Sequence, residues 1–268
     1  MASGTNKKAS SKNAVKAARA SVVTRRGFPW ATVIAVVAVV ALAAVVVAYY
    51  LVQSAPKRAL ADWAPTDANH DPSLGLAGIV TGSYKGSVHV LPTERVAYDH
   101  SPPIGGPHDG YWAACNGIAY PKAVRSENMV HSLEHGAVWI AYNPDQVTGD
   151  ALNKLKTKVE GKPYTMLSPY PGLDKPVSLQ SWGHQLKVDS ADDERIDQFV
   201  TALRTNQNTT PEVGASCDAL GPGAFDPDNP PPFDPATPGP DAKPMDYQGS
   251  DGAQTETGAG MPSTTGTP

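Results

Sequence analysis

The chain has 268 residues, with 22 basic and 26 acidic side chains and two cysteines. This length suffices for one globular domain with a substantial core together with additional segments. Seven basic residues and no acidic residue precede position 31, so the remainder carries 15 basic and 26 acidic residues, a net charge of −11. An acidic surface of this kind repels polyanions, which argues against nucleic acid as a partner.

The first predicted element is an uncharged apolar run at residues 31–52. A membrane-spanning helix needs about 20 such residues, so we predict that residues 29–53 cross the lipid bilayer. By the positive-inside rule, the basic residues 1–28 lie in the cytoplasm and the rest of the chain lies outside the cytoplasmic membrane. The alternative is a cleaved signal peptide, but the apolar region of such peptides typically spans only about 7–15 residues.

Composition divides the rest of the chain into three segments. Residues 54–77 form a predicted linker next to the membrane, and residues 78–220 form one predicted extracytoplasmic domain. Residues 221–268 consist largely of Pro, Gly, Asp, Thr and Ser. This tail, like residues 1–28, is predicted to be disordered, because it buries too little apolar surface to offset its loss of conformational entropy.

The predicted elements of the outer domain alternate between strands and helices. A short helix at 126–135 ends at Gly136, a residue type that is common directly after helices. Residues 137–142 are apolar at every position, which is typical of a strand covered on both faces. The other predicted elements are a strand at 87–91, a helix entered through Asn143 and continuing to 159, strands at 164–167 and 177–188 with a kink at Gly183, and a helix capped by Ser190. This order predicts an α+β domain with one small mixed or antiparallel sheet, of roughly three to five strands, and packed helices.

The densest group of chemically active side chains is His131, Glu134 and His135. On a helix, residues three and four positions apart share a face, so these side chains converge. Two imidazoles and a carboxylate suit zinc or copper. His108, in a loop rich in Pro and Gly, adds a further candidate. The predicted metal ligands are His108, His131, Glu134 and His135.

Two alternatives for this group stay open. His-x-x-Glu-His is also the inverted zincin pattern, in which Glu134 would activate water in a metal-dependent hydrolase. Zincin pairs lie within longer helices, however, and His135 directly precedes Gly136. In the second alternative the histidines form hydrogen bonds at a helix end and Glu134 pairs with Arg125. The pattern favours binding over catalysis, and the remaining histidines are interpreted as isolated: His70, His89, His100 and His184.

Cys115 and Cys217 are the two cysteines. Outside the cytoplasm, such a pair most simply forms a disulfide, here closing a loop of about 100 residues. The alternative is that Cys115 acts as a thiolate ligand beside His108, with Met129 as a further soft ligand.

Three segments together carry a resemblance to a known family. They are residues 101–108, with Pro-Pro and Gly-x-His elements, residues 112–115, with a Trp-x-x-Cys element, and the HSLEHG sequence of residues 131–136. As a set, they resemble domain of unknown function 3105, an actinobacterial family, over roughly residues 78–203. The resemblance implies a membrane-anchored or exported protein with a basic N-terminal segment, a single helix and an outer domain. It implies no established activity.

These observations lead to three functional hypotheses. The first is a membrane-anchored outer domain that binds copper or zinc, either for metal handling or as a structural centre of the cell envelope. The second is an accessory or assembly subunit of a membrane complex that binds no metal. The third is a metal-dependent hydrolase. Whether His108, His131 and His135 converge in space is the observation that separates the first from the second.

Overall fold

The computed structural model describes residues 27–219 and 225–249. The chain divides into two units, Met1–Lys57 and Arg58–Pro268, and the second is called the C-terminal unit below. This unit contains all of the strands and all but one of the α-helices within the described residues. Every candidate site residue predicted from the sequence also lies in this unit.

Most of helix α1, Trp30–Ala59, belongs to the first unit. Among the described residues, its stretch Trp30–Ala55 is the one segment long and apolar enough to cross a membrane. Its large apolar side chains are exposed, as they are in a helix surrounded by lipid. A single-pass anchor and a signal sequence both fit these properties. Residues 1–26 of the predicted basic tail lie outside the described part of the chain.

A mixed sheet of six strands forms the centre of the C-terminal unit, which confirms the predicted α+β class. The order across the sheet is β1 (Val80–Thr81), β8 (His184–Val188), β7 (Val177–Ser181), β5 (Val138–Tyr142), β6 (Thr165–Pro169) and β4 (Asn116–Ala119). Strands β4, β5 and β6 are parallel to one another, whereas β1, β8, β7 and β5 pair antiparallel. A separate parallel pair joins β2 (His89–Val90) to β3 (His108–Asp109).

The central strand β5 is buried at every position, as its apolar sequence predicts. Its alternate residues enter two different apolar clusters, since successive side chains point to opposite faces of a sheet. Trp139 packs in the cluster that contains Met129 of helix α2, Ser126–Glu134. Ile140 packs in the cluster formed with helices α3, Gly149–Val159, and α4, Arg195–Leu203. Helix α2 is therefore held on one face of the sheet, while α3 and α4 cover the other.

The single strand predicted at 177–188 is instead a hairpin. Strands β7 and β8 pair antiparallel from Val177 with Val188 to Ser181 with His184. Only Trp182 and Gly183 remain for the turn, and Gly183 has a φ of +70°. Positive φ at the second central residue of a turn is a conformation that glycine adopts without strain. The glycine therefore reverses the chain direction rather than kinking one strand.

Helix α2 begins and ends close to its predicted limits, but the starts of α3 and α4 differ. The Asn143 side chain accepts a hydrogen bond from the Asp145 amide at 2.9 Å, which forms a turn instead of a helix cap. The Ser190 hydroxyl similarly accepts from the Asp192 amide at 3.1 Å. These side chains satisfy local backbone donors in turns, so each helix starts several residues later.

Part of the tail predicted to be disordered packs on the rest of the C-terminal unit. Phe225 is buried beside Tyr111 and Tyr120, with ring centroids 5.3 and 5.9 Å away. The backbone of Lys243 pairs with Arg95 and Ala97, at 2.7 and 2.8 Å. A few aromatic anchors and backbone hydrogen bonds thus hold residues 225–249, which corrects the prediction for this stretch. Residues 220–224 and 250–268 lie outside the described residues.

Most of the segment predicted as a linker also belongs to the C-terminal unit and packs within it. The partly buried Trp63 packs on the cluster of α3 and α4. Asp71 caps a 3-10 helix by accepting from the Ser73 amide at 3.1 Å, and its second oxygen lies 2.9 Å from His184 Nε2. Burial raises the pKa of Asp71, but the hydrogen bonds from His184 and Ser73 outweigh burial and leave this pKa below its ordinary value. Asp71 therefore joins this segment to strand β8.

We expect Asp71→Asn to lower the free energy of unfolding at neutral pH by about 1–2 kcal/mol, the value for a hydrogen bond to a charged group after allowance for partial exposure. A carboxylate whose pKa is lowered by folding stabilises the protein above its unfolded pKa, about 4, and loses this effect as the pH falls through its folded pKa. The difference from wild type should shrink below about pH 4, as the Asp71 carboxyl becomes protonated. Urea unfolding of the full chain in detergent, at a series of pH values, measures this difference in unfolding free energy. Asp67→Asn, in an exposed part of the same segment, is the control, and an equal effect of both variants would contradict the assignment.

Candidate metal centre

The short parallel pair of β2 and β3 brings two buried histidines together. His89 and His108 are register partners, and their ring centroids are 5.0 Å apart. Both side chains lie in the interior, with relative exposures of 2% and 0%. The pairing joins segments separated by a Pro- and Gly-rich loop, so it depends on tertiary contacts rather than on local sequence.

Helix α2 adds His131 and Glu134 to the same place. These residues are three positions apart and share a helix face. The His131 ring lies 4.8 Å from that of His108 and stacks at 5.2 Å on that of His89. The Oε2 atom of Glu134 lies 2.8 Å from Nε2 of His108. We call these four residues the inner cluster; one nitrogen or oxygen from each lies within 4.8 Å of the others.

Backbone carbonyls orient two imidazoles of the inner cluster. His108 Nδ1 lies 2.8 Å from the Gly106 carbonyl, and His131 Nδ1 lies 2.6 Å from the Asp109 carbonyl. A carbonyl only accepts, so each Nδ1 carries a proton. His131 keeps a lone pair on Nε2, whereas the Nε2 atom of His108 faces the carboxylate of Glu134. The Nε2 atom of His131 is buried and has no hydrogen-bond partner among the described residues. This arrangement is typical of metal-binding histidines.

The protonation states of the inner cluster also suit a cation. Burial raises the pKa of Glu134, but the hydrogen bonds from His108 and from the Ser87 amide, at 2.6 Å, outweigh it and lower this pKa below its ordinary value. Burial, with the neighbouring His108 and His135, holds the pKa of His131 well below its ordinary value. Glu134 is therefore a carboxylate and His131 a neutral imidazole, the forms that bind metals.

A second group shares His131 with the inner cluster. His135 lies at the end of α2, with its ring 4.6 Å from that of His131. Its Nδ1 donates to the Ser216 carbonyl at 2.7 Å, and its Nε2 lies 3.4 Å from Oε2 of Glu212. We call His131, His135 and Glu212 the outer cluster; its three potential ligand atoms also lie within 4.8 Å of one another.

The structure brings three of the four predicted ligands into one cluster. His108, His131 and Glu134 belong to the inner cluster, while His135 belongs to the outer cluster. His89, interpreted from the sequence as isolated, is a buried member of the inner cluster. In the sequence, the only indication that His89 is buried was its position between the apolar residues Val88 and Val90.

Nothing in the sequence around Glu212 indicated that it belongs to a cluster. The structure also corrects the partners predicted for Arg125 and Cys115. Arg125 contacts Asp109 and Glu127 rather than Glu134. Cys115 and Cys217 form the disulfide, so Cys115 is not a thiolate ligand. Of the other residues considered, Met129 packs in the apolar cluster of α2 and His184 contacts Asp71.

Gly86 lies against the carboxylate of the inner cluster. A Cβ atom at this position would be 2.5 Å from Oε1 of Glu134 and 3.1 Å from Cβ of Pro211. Glu134 is fully buried and is held by Ser87 and His108, so it cannot move away freely. The absence of a side chain at Gly86 therefore preserves the position of this carboxylate.

We expect Gly86→Ala to weaken binding of Zn²⁺ by the full chain about 10–100-fold, the range observed when residues that orient metal ligands are changed. The cause is displacement of Glu134 by the added methyl group. Isothermal titration of the full chain in detergent measures the affinity. Gly75→Ala is the matched control, because its Cβ would meet Trp63 at an ordinary 3.6 Å. Wild-type affinity in Gly86→Ala would contradict the assigned role of Glu134.

The fold and the site together define an α+β domain with a buried cluster of three histidines and one glutamate. A family model described as "Protein of unknown function (DUF3105)" matches residues 89–219 of the chain. The matched range contains both clusters and both disulfide cysteines, whereas α1 and residues 225–249 lie outside it. No curated protein and no solved structure matches the chain. The family identified from the sequence is thus confirmed, and its actinobacterial origin stays a prediction.

Proposed function

We propose that the inner cluster binds one divalent transition metal ion, zinc or copper, and that the C-terminal unit is a metal-binding domain. The observation that carries the proposal is the orientation of the buried imidazoles. Two Nδ1 atoms donate to backbone carbonyls, and the lone pair of His131 Nε2 faces three other potential ligands. A fully buried imidazole nitrogen without a hydrogen bond is costly, and a bound cation removes that cost.

The donor set narrows the choice of metal. Three imidazoles and one carboxylate suit Zn²⁺ or Cu²⁺, while copper(I) prefers thiolate or thioether sulfur. The two sulfur ligands considered from the sequence do not take part, because the cysteines are bonded to each other and Met129 packs in the apolar cluster of α2. Four protein ligands around one ion correspond to a closed, tetrahedral structural zinc site.

The burial of the inner cluster favours a structural or metal-holding role over hydrolysis. Glu134 and His108 have no exposed side-chain surface, and the two oxygens of Glu134 contact Ser87 and His108. Catalytic zinc sites keep a coordination position open to water and substrate. A metal in the inner cluster would instead connect the β2–β3 pair to α2.

We also propose that α1 is a retained single-pass anchor with its N-terminus in the cytoplasm. The basic residues before the helix and its length support this orientation and retention. The disulfide supports a position of the C-terminal unit outside the cytoplasm, where such bonds persist. In this arrangement the metal is held at the outer surface of the cytoplasmic membrane.

Metal analysis of the full chain, purified in detergent, tests the proposal. After removal of bound metal with a chelator, the chain should take up one equivalent of Zn²⁺ or Cu²⁺ at micromolar metal. His89→Gln should weaken this binding by at least the roughly 10–100-fold typical of changes around a metal site. His184→Gln is the matched control, since this histidine is also largely buried but contacts Asp71 outside both clusters. Failure to bind either metal would contradict the proposal and support the accessory subunit without metal.

A further inference from the structure

We infer that the outer cluster is the entry site through which a metal ion reaches the inner cluster. His131 would be the ligand that passes the ion from one cluster to the other. This inference rests on the proposed function and extends it from a closed site to a route of loading.

The first argument is that the clusters share one nitrogen atom. His131 Nδ1 donates to the Asp109 carbonyl, so only Nε2 can bind a metal in either cluster. One imidazole lone pair binds one ion. The clusters are therefore alternative positions for the same ion, and full occupation of one removes the shared ligand from the other.

The second argument is a gradient of exposure. Glu212 has 20% of its side-chain surface exposed, whereas His108 and Glu134 of the inner cluster have none. The outer cluster also supplies three protein ligands, which leaves a coordination position for water, while the inner cluster supplies four. An arriving hydrated ion can thus bind first where water is available and lose its remaining water in the inner cluster.

The third argument is that the structure holds the outer cluster in a defined geometry. Ser216, whose carbonyl orients His135, directly precedes Cys217 of the disulfide. The Glu212 amide donates to the Glu134 carbonyl at 3.2 Å. Ser87 connects the two carboxylates, since its amide donates to Glu134 and its hydroxyl donates to Glu212 at 3.1 Å. Hydrogen bonds through Ser87 and the backbone therefore connect the two clusters directly.

The competing interpretation is that His135 and Glu212 form an ion pair with no role in metal uptake. The two interpretations differ in kinetics. An entry site speeds both arrival and departure of the ion, whereas an ion pair affects neither. Equilibrium affinity for the inner cluster depends on its own ligands and should change little when only the route is altered.

Stopped-flow mixing of metal-free full chain with Zn²⁺, and of the loaded chain with a chelator, tests the inference. Glu212→Gln retains the acceptor for Ser87 but removes the negative charge that attracts the cation. We expect it to slow binding and release by similar factors of about tenfold or more, which leaves the equilibrium affinity and the stoichiometry of one Zn²⁺ nearly unchanged. His135→Gln should act in the same direction. The control is Glu94→Gln, because Glu94 has a similar exposure of 23% and pairs with Lys243 away from both clusters.

The outcomes separate this inference from the proposed function. If His89→Gln and His108→Gln bind Zn²⁺ as tightly as wild type, the proposed inner site is wrong and the entry route falls with it. If those variants lose affinity but Glu212→Gln and His135→Gln load and release Zn²⁺ at wild-type rates, the inner site stands and the entry route is overturned. Simultaneous binding of two Zn²⁺ ions per chain would also overturn the inference, because the clusters would not then compete for His131.

Discussion

Replacement of His131 by glutamine is expected to abolish metal binding by the full chain. His131 is the one residue common to both clusters, so its loss leaves neither with a full set of ligands. A ligand at 100 times its Kd stabilises the folded state by about 2.7 kcal/mol, and this gain should be present in wild type and absent in the variant. Thermal or urea unfolding of the full chain, with and without Zn²⁺ or Cu²⁺, measures the gain.

Two comparisons show whether this result is specific to His131. His184→Gln removes another largely buried histidine, and it should retain the full stabilisation by metal because His184 contacts Asp71. Metal-free His131→Gln should unfold cooperatively, which shows that the lost gain does not reflect a misfolded chain. If metal stabilises His131→Gln as much as wild type, neither cluster is the binding site.

Removal of the disulfide should produce the largest loss of stability. Cys115 and Cys217 are 102 positions apart in the sequence. For a closed loop of that size the chain-entropy model predicts about 4.7 kcal/mol, and measured effects of native disulfides are typically about 2–5 kcal/mol. We therefore expect the double variant Cys115→Ser, Cys217→Ser to lose about 4 kcal/mol of unfolding free energy, measured by urea unfolding of the metal-free full chain.

A reducing agent provides the control for the disulfide prediction. It should lower the stability of wild type to the level of the double variant and leave the variant unchanged. The equilibrium affinity of the folded variant for Zn²⁺ should persist, because the ligands of the inner cluster lie on β2, β3 and α2 and neither cysteine is one of them. A loss below about 1 kcal/mol would mean that other contacts constrain the loop equally well.

Local sequence patterns predicted several parts of the fold because their causes are local. The apolar run at 137–142 indicated a strand buried on both faces, and β5 is buried throughout. Gly136 indicated the end of α2, where it has a φ of +91°. The pairing of Cys115 with Cys217 followed from there being only two cysteines.

The prediction of disorder for the tail shows where composition was insufficient. Pro-rich segments lack a core of their own, which is what the composition correctly indicates. Residues 225–249 nevertheless pack on the rest of the C-terminal unit, through Phe225 and the backbone of Lys243. Composition describes what a segment can bury by itself and cannot describe a surface provided by distant residues.

By itself, the sequence determined the apolar helix, the α+β class, and the presence of His131 and Glu134 on one face of a short helix. These properties depend on residues within a few positions of one another, where periodicity and capping act. Only the tertiary structure decided which side chains meet: His89 joins His108 through strand pairing, and Glu212 reaches His135 through the segment that contains Cys217. Such meetings depend on contacts between segments far apart in the chain, which no local pattern encodes.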